Sequence, residues 1–374
     1  MIEFAPRPEP SAADRALVTL GALCSGLALA ALAFLLMGAH PGRAMAAVFS
    51  GSFMSAYGLG ETATKAIPLI LSGIGLSLAF RGRLWNIGAE GQLLAGATAA
   101  TGLALALQDS LPAPLAVPLL FAAGAAGGAA LAALAGWLKT RFRVNEVVST
   151  LMLNYICAEL VQHLVYGPWK GPSQSGFPYT DNFAAPLVLP VLGATRIHWP
   201  TLVLALASAA AAWVLVHRTR FGFELRAMGG NPDAAACAGM NASRTTLLVM
   251  AASGGLAGLA GVGEVAGIHR HLTYPWAVSS GYGYAAIIVA WVAGLDPLLA
   301  VPAGLFLGGI MVGGDAIQIS MGLPAAAISL FNGLLLLCLM AGEFFLRYRP
   351  RRRARTSDLS PVPGGAGKPE GKTA

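Results

Sequence analysis

The chain has 374 residues, of which 56% are apolar and only 11% charged, with 47 glycines. A soluble domain carries about a quarter charged residues, so the composition is that of a polytopic membrane protein. The net charge of +7 comes from basic residues spread over loops and one tail, which membrane topology explains better than nucleic-acid binding.

In chain order, residues 1–15 are polar and read as a cytoplasmic segment. No small-residue cleavage site follows the first apolar run, so 16–37 reads as a retained span and not a signal peptide. Residues 38–61 are rich in glycine and serine and are placed at, or dipping into, the outer face. Spans at 64–80, 88–107, 112–138 and 146–166 follow, their inner ends marked by Arg81 and Arg83 and by Lys139, Arg141 and Arg143. Residues 167–200 form the longest outside segment. Span 201–216 returns to a polar loop at 217–244, 245–268 leads out, and 282–293, 298–319 and 325–346 complete about ten spans. The stretch 282–293 is short for a full crossing. On this assignment 19 of the 24 lysines and arginines lie inside, which predicts cytoplasmic termini. The transmembrane domain is thus 16–346. The tail 347–374 is basic, then rich in proline and glycine, and reads as disordered. Its basic cluster sits where anionic lipid headgroups would attract it, although an orienting stop signal also explains it.

The loop 217–244 is the longest polar interruption. Asn231 is a good N-cap, Pro232 suits the first helical position, and Asp233 favours the helix dipole. Ala234, Ala235 and Ala236 propagate a short helix and Gly239 offers a left-handed stop. Such an alanine-surfaced helix suits docking into a groove of another protein; the alternative is an ordinary connection.

Polar residues inside spans cost free energy and call for a reason. Asn86, Glu90 and Gln92 stand at a helix start beside Gly88 and Gly91, a pattern expected where a membrane helix bends or breaks. Asn145 and Glu146 read as a cap. Asn154, Glu264 and Asp315 lie within later spans and either line a pathway or hydrogen-bond between helices. Small-residue pairs at spacing four (Gly254 and Gly258, Gly263 and Gly267, Gly304 and Gly308, Gly309 and Gly313) predict a tight bundle. The four cysteines are scattered, and neither HExxH nor GxSxG occurs. The closing Gly371-Lys372-Thr373 has Ala366 where a phosphate loop needs glycine, so no nucleotide-hydrolysing site is expected.

Three stretches carry a resemblance. AFRGRLWNIGAEGQ (Ala79 to Gln92) is similar to AFRAGLFNIGAEGQ, and VNEVVSTLMLNY (Val144 to Tyr155) to GVNEVISTIMLNYI. The central loop, from Thr219 and Gly222 through Arg226 and Gly229 to Asn231 and Gly239, follows T-x-x-G…R-A-x-G-x-N-x-x-A-A-x-x-A-G. The chain therefore resembles the membrane-spanning permease subunits of bacterial ABC importers, in the branch with the ribose and branched-chain amino-acid permeases. Within that branch it is most like the nucleoside and simple-sugar permeases that work with lipoprotein receptors. The similarity runs from about 64 to 343.

The resemblance implies an all-α polytopic membrane protein with about ten transmembrane helices and one or more interrupted or re-entrant segments. It implies no enzymatic activity and no cofactor bound by this chain, ATP being used by a partner ATPase. The partners implied are that cytoplasmic ABC ATPase, a second homologous permease and an extracytoplasmic substrate-binding lipoprotein, in a bacterial inner membrane; nucleic acid is not among them. Asn231 to Gly239 would be the coupling helix, positioned by Arg226 and Gly229, with Gly222 also in the coupling segment and Ala234, Ala235 and Ala238 allowing insertion into the ATPase cleft. For uncharged nucleosides or sugars, Asn86, Gln92 and Asn154 suit a pathway better than Glu90 and Glu264 do. Trp85 replaces the usual phenylalanine, and Trp291 is large for a pathway-facing span, implying a different substrate size. A rival reading, an ion-coupled secondary transporter, needs paired acids near the midplane, for which Glu264 and Asp315 are the one pair on offer.

Overall fold

The computed structural model describes residues 2–6, 11–108 and 112–352. The strand β1 (Ile2–Pro6) is followed by helices α1 (Ala12–Leu36), α2 (Pro41–Phe53), α3 (Ala56–Arg81), α4 (Ala89–Leu107), α5 (Ala113–Phe142) and α6 (Glu146–Tyr166). After an irregular segment, 167–198, expected outside, come α7 (Trp199–Arg218), α8 (Arg220–Gly230), α9 (Pro232–Cys237) and α10 (Ala242–Val262). A π-helical turn, Gly263–His269, extends α10. The chain closes with α11 (Pro275–Ser279), α12 (Tyr282–Val292), α13 (Ala300–Met321), α14 (Ala325–Arg347) and β2 (Tyr348–Arg352).

Seven of these helices are long and apolar enough to cross a bilayer: α1, α3, α5, α6, α7, α10 with its π turn, and α13. This is a multi-pass, all-helical membrane protein apart from one two-stranded ribbon. The other three expected spans differ for physical reasons. Helix α4 has Glu90 and Gln92 in its first turn. Helix α12 is only 11 residues, about 16 Å. Helix α14 holds a shorter apolar stretch, Ser329–Gly342.

Local chemistry sets the helix ends. Ser11 and Asp14 form a capping box on α1, and Asn145 accepts from the Val147 amide at 2.9 Å to start α6, as expected. Ser55 accepts from Gly58 N at 2.9 Å, so α3 starts at Ala56 and not at 64. The expected loop at 217–244 contains α8 as well as α9. Thr219 caps α8 by accepting from Gly222 N at 3.1 Å, a helix start that reading the stretch as a polar loop passed over. The first residues of the expected disordered tail are ordered: Tyr348–Arg352 pairs antiparallel with Ile2–Pro6. The rest of that tail, 353–374, lies outside the described residues.

Helix α10 is central, packed by α5, α4 and α3, while α3 also meets α13 and α12. Helix α3 is hydrophobic all round and accordingly buried along most of its length; α1, paired with α14, exposes Leu17, Leu20, Leu32 and Leu36. Between membrane helices packing replaces the hydrophobic effect, and the glycine pairs supply it. A methyl group at Gly254 would lie 2.3 Å from Gly128 O of α5, and one at Gly258 2.2 Å from Gly124 O. Gly309 and Gly313 likewise admit Phe53 and Val48 of α2.

Candidate functional site

The residues expected at a broken helix converge. Between α3 and α4 the segment from Leu84 to Gly88 is not helical, and it brings Asn86 against Ser253, midway along α10. Asn86 and Gln92 form a reciprocal amide pair, Asn86 Nδ2 donating at 2.9 Å and Gln92 Nε2 returning at 2.8 Å. Asn86 Nδ2 also donates to Ser253 Oγ at 3.0 Å, and its Oδ1 accepts from Gly88 N at 3.0 Å. From α6, Thr150 Oγ1 accepts from Ile87 N at 3.2 Å, and Asn154 Oδ1 accepts from Gly91 N at 2.8 Å. Asn154 Nδ2 donates to Ile87 O at 2.9 Å and to the Tyr284 hydroxyl at 3.3 Å. Buried polar groups must be partnered, and here three amides satisfy a bare backbone turn and one another. Their hydrogen-bonding capacity is taken up inside the chain. Glu159, five residues on, faces away and is exposed.

Glu90 is buried and reaches the start of α12, where its Oε2 accepts from Gly283 N at 2.7 Å. The two helices meet closely, since a methyl group at Gly283 would lie 2.2 Å from Glu90 N. A carboxylate between two helix N-termini is favoured by both dipoles.

Glu264 lies elsewhere, buried on the π turn. The glycines beside it face the buried His198, a methyl group at Gly267 falling 2.6 Å from its Cδ2. The widened turn leaves Ala266 O to accept from Leu189 N at 2.9 Å, and Arg270 O accepts from Phe183 N at 2.8 Å, clipping the irregular segment before α7 onto the bundle. Asp315, the other acid weighed for ion coupling, is half exposed and paired with Lys65 of α3. Arg196 pairs with Glu61 at 3.2 Å.

At the opposite end of α3 lies the 217–244 segment. Helix α9 is built as expected: Asn231 Oδ1 accepts from Asp233 N at 3.0 Å and Ala234 N at 3.1 Å, and Gly239 takes φ +80°. The Gly239 amide donates to Ala236 O and that of Met240 to Ala235 O, both near 3.0 Å, closing the helix end. Helix α8 seats it. Gly222 allows the reversal after α7, because a methyl group there would fall 2.3 Å from Leu215 O and Val216 O. The Arg226 guanidinium caps Val216 O at the end of α7. Gly229 lets α8 approach Arg81 O, 2.1 Å from where its Cβ would be. The expected surface needs one correction. Ala235 is only 5% exposed and faces the chain itself, whereas Ala234, Ala236, Cys237 and Ala238 face outward.

The profile of the family described as the branched-chain amino acid transport system / permease component matches residues 58–340. The chain belongs to this permease family. A glucose ABC transporter permease of Haloferax volcanii is 34% identical over 87% of each chain. A guanosine ABC transporter permease of Bacillus subtilis is 32% identical, covering 89% of this chain and 94% of its own. A second guanosine permease of the same organism is 28% identical, covering 66% and 78%. The permease is a transport component and not an enzyme.

Sequence reasoning missed several residues of the permease that the fold brings to the site. Ser253 and Thr150 have unremarkable helical surroundings in sequence, and Tyr284 stands in an apolar run. Only tertiary packing makes them partners of Asn86, Ile87 and Asn154. The two departures from the family pattern turn out to be one feature. Trp291 stacks on Phe80 with centroids 5.6 Å apart and meets Trp85 at 6.0 Å, so the larger residues occupy each other's space at the C-terminal end of α3.

Proposed function

We propose that the permease forms the translocation pathway of an ATP-driven importer for nucleosides or simple sugars, and that α9 couples it to a separate cytoplasmic ATPase. The observation that carries this is the outward alanine face of a doubly capped α9, held on the bundle by Gly222, Arg226 and Gly229. Small side chains let another protein close over the helix, and the rigid seat on α3 and α7 can pass a displacement inward. The sugar and guanosine relatives support the solute class. Two permeases of one named solute in Bacillus subtilis support pairing with a second, homologous permease. An extracytoplasmic lipoprotein receptor would deliver the solute. ATP would be used by the ATPase, this chain binding no cofactor.

In this reading α4, α12 and α14 complete ten spans, and both termini lie in the cytoplasm of a bacterial inner membrane. The stretch before α4 is re-entrant, and α12 begins within the membrane. Asn86, Glu90, Gln92 and Asn154 then frame the pathway, while Glu264 braces its outer end.

A bulky residue on the outward face, Ala236→Trp, tests the coupling role. Overpacking there costs about 1–3 kcal/mol, which loosens the ATPase about five- to a hundred-fold. The variant should reach the membrane, lose the ATPase on purification and lose uptake. Full co-purification with normal uptake would remove α9 from the coupling role.

A further inference from the structure

Tyr284 has a second face. Its hydroxyl accepts from Asn154 Nδ2, and among the described residues it has no acceptor for its own proton. The ring borders a cavity of about 260 Å³ between α12, α13 and α14, which Ser280, Ser329, Ile288, Ile310, Met311 and Leu335 also line. Among the described residues no charged side chain lines it. Ser280 Oγ donates to Ala277 O at 3.3 Å, so its lone pairs can accept.

The cavity's chemistry selects among solutes. A polyhydroxylated sugar ring would bury most of its hydroxyls, unpartnered, against leucine, isoleucine and methionine, which burial penalises. A flat heteroaromatic ring instead presents apolar faces to those side chains and to the Met311 thioether, and keeps its few polar atoms at one edge. The uncharged lining rejects a phosphorylated solute, whose charge would go uncompensated.

We infer that this cavity takes the heteroaromatic base of an uncharged nucleoside, with the Tyr284 hydroxyl donating to an acceptor on the base edge and Ser280 accepting from a donor beside it. Asn154 is then a positioning residue, fixing the tyrosine hydroxyl so that its proton points into the cavity. This rests on the permease reading above and narrows its solute class.

The test uses the assembled transporter, with ATPase, partner permease and receptor, in proteoliposomes. Photolabelling with 8-azidoadenosine should mark α12 or α13, and excess guanosine should protect while D-glucose does not. ATP-driven guanosine uptake should fall about two- to tenfold in Tyr284→Phe, the range expected for one lost hydrogen bond. Filling the cavity with Ala285→Leu, a residue on its wall, should reduce uptake further. Glucose uptake without guanosine uptake, labelling protected by glucose, or unchanged guanosine uptake in both variants would overturn the inference and leave the permease reading standing. Uptake that persists without ATP would instead overturn the permease reading.

Discussion

Two adjacent glycines near the end of α8 carry opposite expectations. A methyl group at Gly229 would lie 2.1 Å from Arg81 O, whereas nothing lies within 4 Å of one at Gly230. Gly229→Ala must push α8 off α3, at about 1–3 kcal/mol, and Gly230→Ala need not. In the assembled transporter, Gly229→Ala should lower solute-stimulated ATP hydrolysis and uptake together, while Gly230→Ala stays close to wild type. Asn154→Leu gives a second expectation. It leaves Ile87 O and Gly91 N without their buried partner, so the melting temperature should fall along with uptake, the destabilisation being about 1–3 kcal/mol per orphaned group. Tyr284→Phe, losing a hydroxyl at a cavity wall, should leave the melting temperature nearly unchanged. Thermal unfolding in detergent separates the two. The sequence marked Asn86, Gln92 and Asn154 as polar residues that need a reason. That the reason is one another, with a bare backbone turn between them, depends on bringing α6 and α10 alongside.

Among the elements, the irregular segment before α7 and the π turn behave as one unit. His198, just before α7, is fully buried against Gly263 and Gly267. Burial pushes its imidazole down to about 4 from the usual 6.5. The fold therefore favours the neutral ring. That contribution is whole above pH 6.5 and is lost as pH falls through about 4, on the order of 2 kcal/mol by pH 5. The melting temperature of the solubilised permease should drop between pH 7 and pH 5, and by less in His198→Phe, which cannot be charged. Equal drops in both would place the acid-sensitive element elsewhere. Little of this unit was visible in advance. The spacing of Gly263 and Gly267 reads as a helix-packing pair, yet both face His198 just before α7, with Thr201 of α7 also against Gly263. Helix α9 was the reverse: its caps, its proline and its glycine stop all lie within nine residues, so local chemistry sufficed.

Across the whole molecule, the pairing of Ile2–Pro6 with Tyr348–Arg352 puts the segments before α1 and after α14 on the same side of the bundle. A proposed even count of ten spans requires the same. Cysteines introduced before Ser11 and after Gly342 should both be labelled from the cytoplasmic side only. Labelling of either from outside would break the ten-span arrangement.

Composition, hydropathy and basic-residue asymmetry were enough to determine a multi-pass helical membrane protein, and three motifs were enough to place its family, because these signals are sums over the chain or local in it. The caps of α6 and α9 belong to the same local class. What only the tertiary structure decided is non-local. Ala235 faces inward because α8 and α10 cover it. Asp315 is matched by Lys65, distant in sequence, and Trp291 is accommodated by Trp85. Helix α12 can be short because its start is met by Glu90 of α4. In a bilayer a buried polar group has no water to fall back on. Its partner must therefore come from another helix, and which helix arrives is a property of packing.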